Sequence, residues 1–195
     1  RIKRDLFIKI VLPLILAENK QITEDRVKLF KILGKNFNTA GERVWLNRRF
    51  KEYKIEDHDV AKLKMRMDTI PASIALAQAA NESGWGTSRF ALEGNALFGQ
   101  WTWSGEGIKP ADADHNATHK VMKFKILKSS IRAYQRNLNT HSGYKEFRMA
   151  RAALRDNRRN LDGLILATYL NRYAETGIEY VKIIKQIIKQ NNLTD

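Results

Sequence analysis

The sequence predicts a mainly helical protein with one small β-hairpin, and three observations carry that expectation. Apolar residues recur at helical spacing through most of the 195 residues. Thr, Pro and Gly fall at positions that start and stop helices. Only between residues 97 and 126 does the pattern turn to short strand-like stretches around Gly, Pro, Asp and Asn.

Taken in order, Leu6, Ile10 and Leu14, with Phe7, Val11 and Ile15, form an amphipathic opening helix. The basic start, the apolar run and Ala17 before Glu18 also resemble the end of a secretory signal. Lys9 interrupts that run, so a structural helix is the better reading, with any signal already removed. The run is too short to span a bilayer. Thr23 ahead of Glu24 and Asp25 begins a second helix carrying Val27, Phe30 and Leu33, which Gly34 closes. Thr39 and Glu42 have capping-box spacing before Val44, Trp45, Leu46 and Phe50. A short helix follows at 60–67. Pro71 suits the first turn of an Ala-rich helix running to about Asn81, and Gly84 and Gly86 permit a sharp exit. Strands at 97–103 and 121–126 flank a long tip at 104–119. Helices return at 129–139, 144–155, 161–171 and 178–190, the last with Thr176 and Glu179 spaced as a capping box.

Lys plus Arg outnumber Asp plus Glu by 35 to 21, a net charge of +14. That excess implies an anionic partner: nucleic acid, a membrane surface or an acidic wall polymer. The basic residues are scattered along helices, without a basic-aromatic RNA signature or a compact recognition helix, so no nucleic acid is expected as partner. Without cysteine there are no disulfides or thiolate metal sites. His115 and His119 are spaced i, i+4 but lie in the hairpin tip without the Glu of a zinc-protease motif, so no metal and no cofactor is expected.

The segment 77–100, AQAANESGWGTSRFALEGNALFGQ, carries the chemistry. It places Glu82 where a helix of small residues breaks into a Gly-Trp-Gly turn. Apolar surroundings disfavour the charged form of a carboxyl, so a glutamate in this position suits a proton donor. The plainer alternative is an ordinary exposed glutamate at a helix end.

These residues resemble the Bax-like peptidoglycan hydrolases of the endo-β-N-acetylglucosaminidase group, glycoside hydrolase family 73. The likeness covers about residues 68–190. It rests on IPASIALAQAANESGWGTSRFA, GNALFGQW, SIRAYQRNLNTHSGYKEFR, and Tyr173-Ala174 followed by Tyr180, four blocks in the right order. The resemblance implies a lysozyme-like fold: a helical lobe, a small β-hairpin lobe and a glycan groove between them, preceded by an N-terminal helical extension. The expected division is 1–68 for the extension, packed on a catalytic domain at 69–195.

The resemblance further implies that Glu82 protonates the leaving glycosidic oxygen, and that Tyr173 lines the cleavage site near the substrate's acetamido group. A core tyrosine at a helix end is the rival reading of Tyr173. An acidic residue of the hairpin lobe can activate water or steady the acetamido group. Asp114 is preferred there over Glu106 and Asp112, and all three also suit solvated loop positions. Should none be needed, the substrate's own acetamido oxygen can attack. Trp85, Asn95, Phe98 and Gln100 are expected to shape the groove floor and Trp101 and Trp103 to flank it, although Trp85 and Phe98 equally suit core packing. The sequence thus predicts an enzyme of the cell envelope, periplasmic or secreted, that cuts the β-1,4 bond after N-acetylglucosamine in peptidoglycan strands. The alternatives are a lytic transglycosylase and a non-catalytic glycan-binding module. No oligomeric state is implied.

Overall fold

The computed structural model describes residues 1–102, 107–109 and 120–195. The chain opens with one long helix, α1 (Ile2–Leu33), in place of the two expected on either side of Thr23. Its buried residues, Phe7, Val11, Ile15, Glu18, Ile22, Leu29 and Ile32, follow steps of three, four and once seven residues down one face. Leu6 and Ile10, expected on that face, point outward. A local start signal at Thr23 loses to packing, because Ile22 and Leu29 are held in one core. Pro13 lies inside the helix.

Helix α2 (Ala40–Glu52) begins on the expected capping box. The Glu42 N–H donates to Thr39 Oγ1 at 3.1 Å, and the Thr39 N–H donates to Glu42 Oε1 at 3.3 Å. With α3 (Val60–Arg66) it closes a second, smaller core of Phe50, Tyr53, Ile55, Leu63 and Met67 against the C-terminal half of α1.

Helix α4 (Ala72–Ser83) is the buried centre, with Ser73 to Ala80 all inside. Its Ala side chains let α1 and two helices near the C-terminus approach closely. Around it stand α6 (Leu127–Thr140), α7 (Lys145–Asp156), α8 (Gly163–Ala167) and α9 (Ile178–Gln190). The larger core joins Phe7, Val11 and Ile15 of α1 to Ile74 and Leu76 of α4, Tyr134 and Leu138 of α6, and Ile184 of α9. The expected Thr176–Glu179 box does not form. Gly177 takes the N-cap of α9 at φ 56° with no side-chain cap, and only the Thr176 carbonyl receives the Glu179 N–H.

A short helix, α5 (Arg89–Gly94), leads to the small sheet. Strands β1 (Trp101–Thr102), β2 (Gly107–Ile108) and β3 (Lys120–Met122) are antiparallel in the order β1-β3-β2, with Trp101 opposite Val121 and Ile108 opposite the same residue. Residues 97–100 and 123–126, expected as strand, run beside it without pairing as ladders.

Asp68 ties these parts together. It is 2% exposed and accepts from Arg155 Nη2 and Nε at 2.8 and 3.1 Å, with Arg26 of α1 at 3.8 Å and Arg151 of α7 at 3.9 Å. Burial pushes its carboxyl up. The Arg155 hydrogen bonds and the Arg151 and Arg26 charges outweigh that and hold it below its ordinary range. Glu18 of α1 accepts two hydrogen bonds of 3.1 Å from Arg132 of α6.

Candidate active site

Glu82 occupies the last turn of α4, which ends where Gly84 and then Trp85 turn left-handed at φ 55° and 57°. Local hydrogen bonds lock that exit. The Trp85 N–H donates to the Ala80 carbonyl at 2.8 Å, and the Gly86 N–H to Ser83 Oγ at 2.9 Å. The carboxyl is half-buried. Burial pushes it above its ordinary value, and the polar side chains of Tyr180 and Asn81 pull the other way without cancelling that. The C-terminal end of the α4 dipole, which is negative, also disfavours the anion.

The chain returns over this carboxyl at Gly99. At φ 64°, a Cβ on Gly99 would lie 3.1 Å from Glu82 Oε2. Only a residue without a side chain brings main chain this close in this conformation.

Tyr173 is brought to the same place. Its hydroxyl donates to the Phe98 carbonyl at 2.7 Å, fastening the stretch before Gly99. Its single proton is thereby committed, so the oxygen offers a neighbour lone pairs only. The Tyr173 ring stacks on Tyr180 of α9, 5.6 Å between centroids and 8° between planes, and stands 6.0 Å from Tyr144. Phe98, 2% exposed, lies flat on Tyr134 of α6 at 3.9 Å. Behind these phenols lies Gln78, fully buried one turn before Glu82. Its Nε2 donates to Tyr180 Oη at 2.9 Å, and the Tyr134 hydroxyl donates to its Oε1.

The other expected residues are less concentrated. Trp85 sits under α1, its ring edge-on to Phe7 at 5.7 Å and capped by the Arg4 guanidinium at 4.9 Å. Asn95 ends α5 at φ 50° and donates to the Phe124 and Lys125 carbonyls at 3.0 and 3.2 Å, fixing the chain after β3. The Gln100 carbonyl receives the Met122 N–H at 2.8 Å, and its Oε1 is buried without a partner among the described residues. Trp101 pairs through its main chain with Val121. Asp114, Glu106, Asp112, His115, His119 and Trp103 lie outside the described residues.

Sequence reasoning passed over Gln78, Gly99 and Tyr134. A signal for Gln78 was present: it is a polar residue four positions before Glu82 in a helix otherwise built of small and apolar side chains. Gly99 carries no signal until the positive φ is seen.

A carboxyl held up by burial at a helix end, with aromatic and amide groups behind it, has the chemistry of a glycosidase acid. The chain belongs to the glucosaminidase family: residues 58–193 match the family described as mannosyl-glycoprotein endo-beta-N-acetylglucosaminidase. It is a glycoside hydrolase by kind. Among individual proteins it is similar to Protein bax of Escherichia coli (strain K12), 31% identical over 198 residues that cover 97% of this chain and 70% of that protein. No solved structure matches it. Among the described residues, no helix is long and apolar enough to cross a membrane.

Proposed function

We propose that this protein hydrolyses peptidoglycan in the cell envelope, cutting the β-1,4 bond after N-acetylglucosamine with Glu82 as general acid. The observation that carries this is the Glu82 carboxyl itself, half-buried at the end of α4 and held above its ordinary range by burial. Such a group retains a proton to give to the departing sugar oxygen as an oxocarbenium-like centre develops. Water then adds to the anomeric carbon and loses its own proton to a base, for which Asp114 is the preferred residue. Tyr173 supports the site by holding the Phe98–Gly99 main chain against the acid, and its oxygen accepts from the substrate's acetamido N–H. Residues 1–68 act as an extension packed on the catalytic unit at 69–195. The net charge of +14 draws the protein to anionic wall polymer, an attraction that weakens as salt rises.

Mass spectrometry of fragments released from purified peptidoglycan tests this. Wild-type protein should produce N-acetylglucosamine reducing ends, and Glu82→Gln should stay folded and lose roughly 10²- to 10⁴-fold in rate. Full activity of Glu82→Gln would overturn the assignment. Anhydro-muramic ends would make the reaction an internal transfer, and wall binding without new ends would make the groove a binding module.

A further inference from the structure

A groove of about 490 Å³ runs between α1 and α5. Lys3, Leu6 and Ile10 line it from α1 at helical spacing, with Leu92 of α5 and Leu127 of α6 across from them. Phe7, Val11, Ala91 and Leu97 lie buried beneath. The rim is apolar yet open to solvent: Leu6 is 56% exposed, Ile10 48% and Leu92 73%. Ile126, next to Leu127, is exposed as well. Large apolar side chains clustered in the open mark a surface that something else covers.

The surroundings of the groove are basic. Lys3 lines it and Lys9 lies one turn beyond Leu6, both exposed. A Cβ on Gly94, the last residue of α5, would meet Lys123 Cγ at 3.4 Å, so that lysine stands beside the same helix. Asn95, which also lines the groove, donates to the carbonyl of exposed Lys125. Across residues 1–10, 89–94 and 123–128 the acids are Asp5 and Glu93, and Arg89 pairs with Glu93 at 3.8 Å.

We propose that this groove docks the protein on an anionic lipid bilayer. Leu6, Ile10 and Leu92 enter the boundary of the acyl chains, and the lysines meet the headgroup phosphates. Apolar residues ringed by lysine fit a partner that offers both hydrocarbon and negative charge. Wall glycan offers charge without hydrocarbon. A second copy of the chain offers hydrocarbon, but brings its own lysines against these. A bilayer supplies both. Trp85 and Gly86 line the groove too, so docking sets the turn after Glu82 against the membrane. Docking itself does not depend on the role of Glu82.

The test is co-sedimentation of the full chain with vesicles of phosphatidylglycerol and phosphatidylcholine, beside pure phosphatidylcholine vesicles and lipid-free peptidoglycan. Wild-type protein should bind the anionic vesicles at least tenfold more strongly than the neutral ones, an advantage that shrinks as salt rises. Leu6→Gln combined with Leu92→Gln keeps the charge and should weaken that binding by roughly tenfold or more. Both side chains are exposed, so circular dichroism should not change. Lys3→Gln combined with Lys123→Gln should weaken it by roughly tenfold as well. Phe37→Gln removes an exposed apolar side chain at the far end of α1 and should leave binding as it was. Glu82→Gln should dock as the wild type does, whatever its effect on glycan.

Undiminished vesicle binding by the Leu6→Gln, Leu92→Gln protein would reduce the effect to net charge and overturn the proposal. Binding to lipid-free peptidoglycan with none to vesicles would overturn it too. A wild-type dimer in sedimentation velocity that the same two changes dissolve would assign the groove to a second copy instead. Equal binding to both kinds of vesicle would overturn the part given to the lysines.

Discussion

Replacing Gly99 by alanine tests the close approach of main chain to acid. At φ 64° an alanine sits in the left-handed region, at a cost of about 1–2 kcal/mol. Its methyl would lie 3.1 Å from Glu82 Oε2, tighter than an ordinary carbon–oxygen contact, so one of the two must retreat by a few tenths of an ångström. For a chain of this length each kcal/mol lowers the melting midpoint by about 2–4 °C, so a fall of roughly 2–8 °C is expected. On the reading of Glu82 as the acid, the rate should fall more than the stability, by roughly tenfold or more, because the displaced group is then the proton donor. Gly177→Ala is the control for backbone strain without a clash. At φ 56° and ψ −111° an alanine is strained there too, outside the left-handed helical region, but its methyl would meet only the Asn171 carbonyl at 3.8 Å. Circular dichroism melting and clearing of a peptidoglycan suspension measure the two effects. A Gly99→Ala protein that cleaves at the wild-type rate, or a Gly177→Ala protein that loses as much activity, would refute the reasoning.

Two further outcomes concern the scaffold. Asp68→Ala strands the fully buried Arg151 beside a missing partner and should cost about 3–5 kcal/mol in urea unfolding, towards the lower end because Arg155 can turn to solvent. The Asp68 carboxyl lies lower in the fold than its ordinary 3.8, so its contribution is complete above that value and is lost as pH falls below it. Stability should therefore drop below about pH 4 in the wild type, and less steeply in Asp68→Asn. Phe7→Ala empties a position that is 6% exposed and rests on Trp85, and should cost about 3–5 kcal/mol with a red shift in tryptophan emission.

The elements with self-contained signals were legible in the sequence. Thr39 and Glu42 cap α2 as their spacing requires, and α9 spans 178–190 as its apolar period indicates. The break after Glu82 follows from Gly84, whose left-handed conformation other residues adopt at a cost. What failed depended on distant partners. Thr23 resembles a start only until Ile22 and Leu29 are seen buried together on an unbroken α1. Thr176 cannot cap α9 because Gly177 takes that place. The direction in which Trp85 faces is decided by Phe7 and Arg4, some eighty residues earlier in the chain, which no local pattern encodes. Glu82 and Tyr173 were both readable as candidates. Their meeting through Phe98 and Gly99 was not, because it depends on a backbone carbonyl and a missing side chain.

The first helix serves two interiors at once: Phe7, Val11 and Ile15 plug one, Ile22 and Leu29 the other. Trimming the polypeptide to the stretch that matches the glucosaminidase family, from residue 58 onward, would strip a greasy flank from α4 and leave Glu18's clamp, Arg132, grasping nothing. Such a shortened product should clump or melt early even with Glu82 and its neighbours all present. Though an extension by position, the leading strut seals both interiors, and a minimal version without it should lose them.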